Sequence, residues 1–69
     1  MQKGINMEEM ESFIFEFVTE TDGAILVEDD TGKYWLPKSQ IDYDGGEYEK
    51  GDEIAIDVPG WLAEEKGLI

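Results

Sequence analysis

The sequence predicts a small, mainly β domain: a strongly bent antiparallel sheet or a partly open SH3-like or OB-like barrel of four or five strands, with a short C-terminal helix. Three observations carry this. Phe13, Phe15 and Phe17 alternate, the period of a strand with one apolar face. The stretches "TDG" and "DDTGK" place turn residues between short apolar runs. The chain has 69 residues, too few for a two-sheet sandwich of ordinary size, and a bent sheet also hides strand edges that would otherwise aggregate.

Residues 1–12 read as a loose leader. Asn6 with Glu9 has the spacing of a capping box, so Met7 to Glu11 is expected as at most one helical turn. Residues 13–69 form the single domain. "SFIFEFVTET" is the first strand, with the phenylalanines on one face and Ile14, Glu16, Val18 and Glu20 on the other. Gly23 closes the turn that follows by accepting positive φ. In "AILVED" Ile25 and Val27 share a face, with Ala24 and Leu26 opposite. A turn with Gly32 at its tight position leads to the third strand, "KYWL", and Pro37 ends regular pairing because it has no N–H to donate. "KSQI" turns a corner as one 3₁₀ turn and brings Ile41 back to the core. Residues 42–52 are a glycine-rich polar loop pinned by Tyr43 and Tyr48. "EIAIDVP" is the last strand, with Ile54, Ile56 and Val58 inward. Trp61 to Lys66 form the helix, with Glu64 and Glu65 nearer its start, Lys66 in its last turn and Gly67 just past its end.

Charge is the extreme feature of the composition. Eighteen acidic residues face five lysines and no arginine, for a net charge of −13. Such a surface repels nucleic acid and anionic membrane and favours cationic partners. The chain is 41% apolar and 12% aromatic, which supplies a core and argues against a disordered acidic tail. There is no cysteine and no histidine. That removes disulfides, thiolate metal sites, the commonest transition-metal ligand and the usual general base. "MQKGINMEEM" has no apolar h-region, so no signal peptide is expected and the expected location is the cytoplasm of a bacterial host.

No motif amounts to a catalytic signature. Pairs of carboxylates are inevitable among so many acids, and a chain this short rarely encloses a substrate pocket. The expectation is a protein that is not an enzyme and uses no cofactor. "DYDGGEYE" gathers Asp42, Asp44, Glu47 and Glu49 around two glycines, but an EF-hand needs glycine at its sixth position, where Glu47 stands. It reads as a solvated loop with no metal. "KYWLPKSQI" has two readings. Its aromatics and lysines form a platform, with Tyr34, Trp35, Lys38 and the distant Trp61, or Tyr34 or Trp35 packs in the core of a strand that ends at a corner. The second reading is favoured, since a small core needs its aromatics.

The acids spread along the whole chain. They are read as phosphate mimics, with Glu28, Asp29, Asp30, Asp42, Asp44, Glu47 and Glu49 as the partner-binding residues.

Two stretches carry a resemblance. A W-x-P-K-S-x-I-like segment falls on Trp35, Pro37, Lys38, Ser39 and Ile41. A G-D…V-P-like strand falls on Gly51, Asp52, Val58 and Pro59, and a W-L-A-x-x-K-G-L-like tail on Trp61, Leu62, Ala63, Lys66, Gly67 and Leu68. Over roughly residues 20–69 the chain resembles small acidic proteins encoded by bacteriophages and prophages. In type it is similar to anti-CRISPR inhibitors. The resemblance implies a phage-type accessory protein and brings no catalytic residues. The expected function is therefore an acidic DNA mimic that inhibits or modulates a basic nucleic-acid-handling protein without itself binding nucleic acid. The alternative is an accessory peptide- or protein-binding module of phage replication or recombination.

Overall fold

A computed structural model describes residues 9–69. The capping box expected at Asn6 lies outside them. The described residues form five strands, β1 (Met10–Glu20), β2 (Ala24–Asp29), β3 (Gly32–Pro37), β4 (Asp42–Tyr43) and β5 (Glu53–Pro59), followed by one α-helix, α1 (Gly60–Glu65). All pairings are antiparallel, and the strands lie in one sheet in the order β3-β2-β1-β5-β4. The sheet does not close. Of the two expected architectures the chain takes the open sheet.

β1 is its centre. The N-terminal half, from Met10 to Glu16, pairs with β5, and the C-terminal half, from Glu16 to Glu20, pairs with β2. Met10 and Glu11, expected in a helical turn, are strand residues opposite Pro59 and Val58. The same pairing takes residues 10–12 out of the expected leader.

The phenylalanines face inward as their alternation requires. Phe15 and Phe17 join Ile25, Val27, Leu36, Ile54, Ile56 and Val58 in a core to which α1 adds Leu62 and Ala63. Every member is apolar, and among the described residues no polar side chain is buried. The core lies on one face of the sheet. α1 covers one part of it. Another is covered by Tyr48, whose ring stacks on Phe17 at 5.7 Å. Tyr43, Ile41 and Leu68 also pack against it. The shortest molecular extent, 17 Å, leaves room for one sheet and one covering layer.

The alternation fails at one point. Pairing passes from Phe17↔Val27 to Thr19↔Leu26, so β1 carries an extra residue there. This β-bulge returns Glu20 to the face of Ile25, its partner, and not to that of Ile14 and Glu16 as expected. Glu20 lies at the exposed margin, where its carboxylate takes the Lys38 ammonium at 2.7 Å. That carboxylate raises the Lys38 pKa above its ordinary value.

The turns use local hydrogen bonds. Gly23 does not need positive φ. The Thr21 hydroxyl oxygen instead accepts the Ala24 N–H at 3.2 Å, and the Thr21 N–H donates to the Ala24 carbonyl at 2.8 Å. In the second hairpin the Asp29 carboxylate accepts both the N–H and the hydroxyl of Thr31, at 2.8 and 2.7 Å. Those bonds hold the Asp29 pKa below its ordinary value. Thr31, its own proton committed, accepts from the Tyr34 hydroxyl. Pro37 sits at the end of edge strand β3. Lys38, one residue on, donates its N–H towards β2 at the Gly23 carbonyl, so the proton-less Pro37 nitrogen points to the open side, where nothing requires a donor. The expected 3₁₀ turn follows at Lys38–Gln40.

Part of the expected polar loop is the two-residue strand β4. The rest is tied back to β1, where Gly51 donates to the Phe17 carbonyl and Phe17 to the Asp52 carbonyl, both at 2.8 Å. The Tyr48 hydroxyl donates to the Asp44 carbonyl at 2.8 Å, and burial, with the Asp44 charge next, pushes its pKa up.

α1 starts one residue earlier than expected and ends at Glu65, so Glu64 and Glu65 fall at its C-terminal end, the unfavourable end for a carboxylate. Its stop is the expected one. Gly67 has φ of 79°, its N–H donates to Glu64 at 3.1 Å, and the Leu68 N–H reaches Ala63 at 2.8 Å, the pair of bonds of a Schellman motif. Leu68 thereby packs against the core. Gly67→Ala is expected to cost about 1 kcal/mol, because any Cβ is strained at that φ, and to lower the thermal midpoint by roughly 5 °C.

Candidate protein-binding face

The face of the sheet opposite the core is built by the odd-one-out positions of each strand. From β1 it takes Ile14, Glu16 and, past the bulge residue Val18, Thr19, from β2 Leu26 and Glu28, from β3 Lys33 and Trp35, and from β5 Glu53, Ala55 and Asp57. Asp42 joins them opposite Asp57. None of the described elements covers it. Ile14 is 62% exposed and Trp35 45% exposed.

Register arranges these residues in rows that cross the strands. One row reads Lys33, Glu28, Glu16, Glu53. To one side lies the apolar pair Trp35 and Leu26, continued on β1 by Thr19 opposite Leu26 with the bulge residue Val18 beside it, and to the other Ile14 with Ala55. A further row holds Ser12, Asp57 and Asp42, with the Ser12 hydroxyl donating to the Asp57 carboxylate at 2.6 Å. Neighbouring strands are about 4.8 Å apart and alternate residues about 6.7 Å, so apolar and acidic rows alternate on that scale. Three carboxylate pairs stand directly opposite one another: Glu16 with Glu28, Glu16 with Glu53, and Asp42 with Asp57. Each opposed pair of like charges costs roughly 0.2–1 kcal/mol.

An open groove of about 580 Å³ runs over Glu16, lined also by Ile14, Glu28, Asp29, Asp30, Thr31 and Glu53. A shallower one of about 410 Å³ lies over Asp42, Asp44, Ala55 and Asp57. The structure thus divides the acids singled out by the sequence. Glu28, Asp29 and Asp30 line the first groove, Asp42 and Asp44 line the second, and Glu47 and Glu49 stand in the exposed loop and line neither. Glu16, Glu53 and Asp57 belong to the face and were missed. Their signal was present: each occupies an outward position of a strand with inward apolar neighbours.

The proposed platform residues are not gathered. Tyr34 turns towards the core, its ring 6.3 Å from Phe15, while Trp35 projects from the opposite face. Lys38 is engaged by Glu20, and Trp61 is exposed on α1. Among the described residues no three carboxylates are placed to hold a metal ion, and no helix is long and apolar enough to cross a membrane. Compared with protein families, curated proteins and solved structures, the chain matches none.

Proposed function

We propose that this chain is a non-enzymatic acidic binding module of phage type that occupies the nucleic-acid site of a basic protein, and so inhibits or modulates it in the manner of anti-defence proteins. The observation that supports the reading is the carboxylate row Glu28–Glu16–Glu53, extended by Asp29 and Asp30 at the hairpin. Glu16, Glu28, Asp29 and Glu53 stand on paired backbone and Asp30 on the tight turn beside them, so little conformational freedom is lost when a partner binds. The field of the whole molecule, −13, speeds encounter with a cationic groove.

The test is capture from a bacterial lysate with the tagged protein, washed at about 50 and about 500 mM salt, where screening lengths are roughly 14 and 4 Å. The expected partner is a basic nucleic-acid-binding protein that leaves at high salt and is displaced by duplex DNA. Glu28, Asp29 and Asp30 reversed together to lysine are expected to weaken its binding by about 100-fold or more. Affinity that survives the reversal overturns mimicry. The exposure of Trp35 favours a second reading, the accessory module of phage replication or recombination, whose complex would persist at high salt.

A further inference from the structure

We infer that the outer face of the sheet docks a cationic amphipathic segment of a partner protein, in which lysines or arginines are interleaved with large apolar side chains. The inference rests on the reading above in taking a basic protein as the target, and it names the chemistry that target presents.

Charge alone does not account for this face. A surface that only mimicked phosphates, or only kept the molecule dispersed, would have no use for Ile14 standing exposed beside Glu16, or for Trp35 standing exposed beside Leu26 next to the acid row. A purely apolar partner fails as well, because it would strip water from Glu16, Glu28 and Glu53 and leave them unpaired. The occupant that satisfies both rows places a cation between the opposed carboxylates and lays apolar side chains over Ile14 with Ala55 on one side and Leu26 with Trp35 on the other. A single cation seated between Glu16 and Glu53 removes a repulsion that the free protein carries. The rows repeat at about 6.7 Å, close to the separation of same-side residues two apart in an extended chain or four apart in a helix. Such a segment therefore meets acid and apolar rows in step. Lys33, at the β3 end of the acid row, bounds the site, since a cationic segment gains nothing by running past it.

Two synthetic peptides of equal lysine count test this, one with leucine and one with serine at the intervening positions. They are titrated into the isotopically labelled full chain at about 150 mM salt and followed by amide chemical shifts. The leucine peptide is expected to bind about 10-fold or more tightly than the serine peptide, with shifts concentrated in β1, β2 and β5. Ile14→Ser with Trp35→Ser is expected to abolish that preference while keeping the circular dichroism spectrum. Glu16→Gln with Glu53→Gln is expected to weaken both peptides. Equal binding of the two peptides by the wild-type chain overturns the inference, as do shifts centred on Glu47–Glu49. Concentration-dependent dimerisation that Ile14→Ser with Trp35→Ser abolishes also overturns it, because the occupant is then a second copy of the chain. Should the leucine preference hold while no nucleic-acid-handling protein is captured from lysate, the mimicry reading falls and the docking face stands. A captured protein displaced by DNA, without any leucine preference, gives the reverse.

Discussion

Leu36→Ala is expected to destabilise the domain by about 2–5 kcal/mol, the usual result of truncating a fully buried leucine. Leu36 has no exposed surface and pairs with Ile25 in the middle of the apolar layer. A 69-residue domain has about 3–10 kcal/mol in total at typical values per residue. The substitution therefore consumes much of its stability, and a urea titration followed by circular dichroism should show the midpoint collapse. The residue beside it behaves differently. Trp35→Ala removes a side chain that stands 45% exposed on the uncovered face, so its urea midpoint should move by the equivalent of only about 1 kcal/mol. A Trp35 variant as damaged as the Leu36 variant would mean that the outer face is covered in solution.

Salt should stabilise the protein strongly. Raising sodium chloride from about 20 to about 500 mM shortens the screening length from roughly 20 to roughly 4 Å. That suppresses the self-repulsion of a net −13 and weakens the three opposed carboxylate pairs. A gain of about 1–2 kcal/mol is expected, or roughly 5–10 °C in the thermal midpoint by differential scanning calorimetry. Acidification from pH 7 towards pH 5 should act in the same direction, because the net charge shrinks as the isoelectric point near 4.1 is approached. Asp29 sets a limit on this gain. Its pKa is lowered in the folded state, so its contribution is present above its ordinary value of 3.8 and is lost as pH falls through the folded value. A midpoint that falls with added salt would overturn the view that repulsion is the main electrostatic term.

The strands β1, β2, β3 and β5 were legible because their inward positions alternate and because turn residues separate them. Gly67 was legible as a helix stop because few other residues accept its φ. The bulge in β1 was not, since Val18 and Thr19 both suit an ordinary strand, and a single extra residue is set by the pairing across to Leu26. The face of Glu20 was misjudged for that reason alone. The hairpin acids Glu28, Asp29 and Asp30 could be picked out as a local run. Glu16 and Glu53 were not joined to them: Glu16 meets Glu28 across a hairpin whose register is shifted by the bulge, and Glu53 meets Glu16 only through the register between β1 and β5, which lies in long-range packing and not in periodicity. The sequence left open which of Tyr34 and Trp35 packs in the core; Leu36 takes the inward position on β3, so Tyr34, two residues before it, turns inward and Trp35 turns out.

β1 pairs with its sequence neighbour β2 through one half and with the last strand through the other. Ser12 and Asp57, joined by their side chains, are 45 positions apart. During synthesis the three-stranded meander of β1, β2 and β3 emerges first, and its apolar face has no lid until β5 and α1 follow. Closing so long a loop must precede the contacts that reward it, which places refolding on the millisecond-to-second scale of proteins rich in non-local pairing. The truncated chain would expose Phe13 and Phe15 on an unpaired half of β1. Substitutions that destabilise the β2–β3 hairpin and those that destabilise β5 should accordingly divide in stopped-flow kinetics, the first slowing folding and the second chiefly accelerating unfolding.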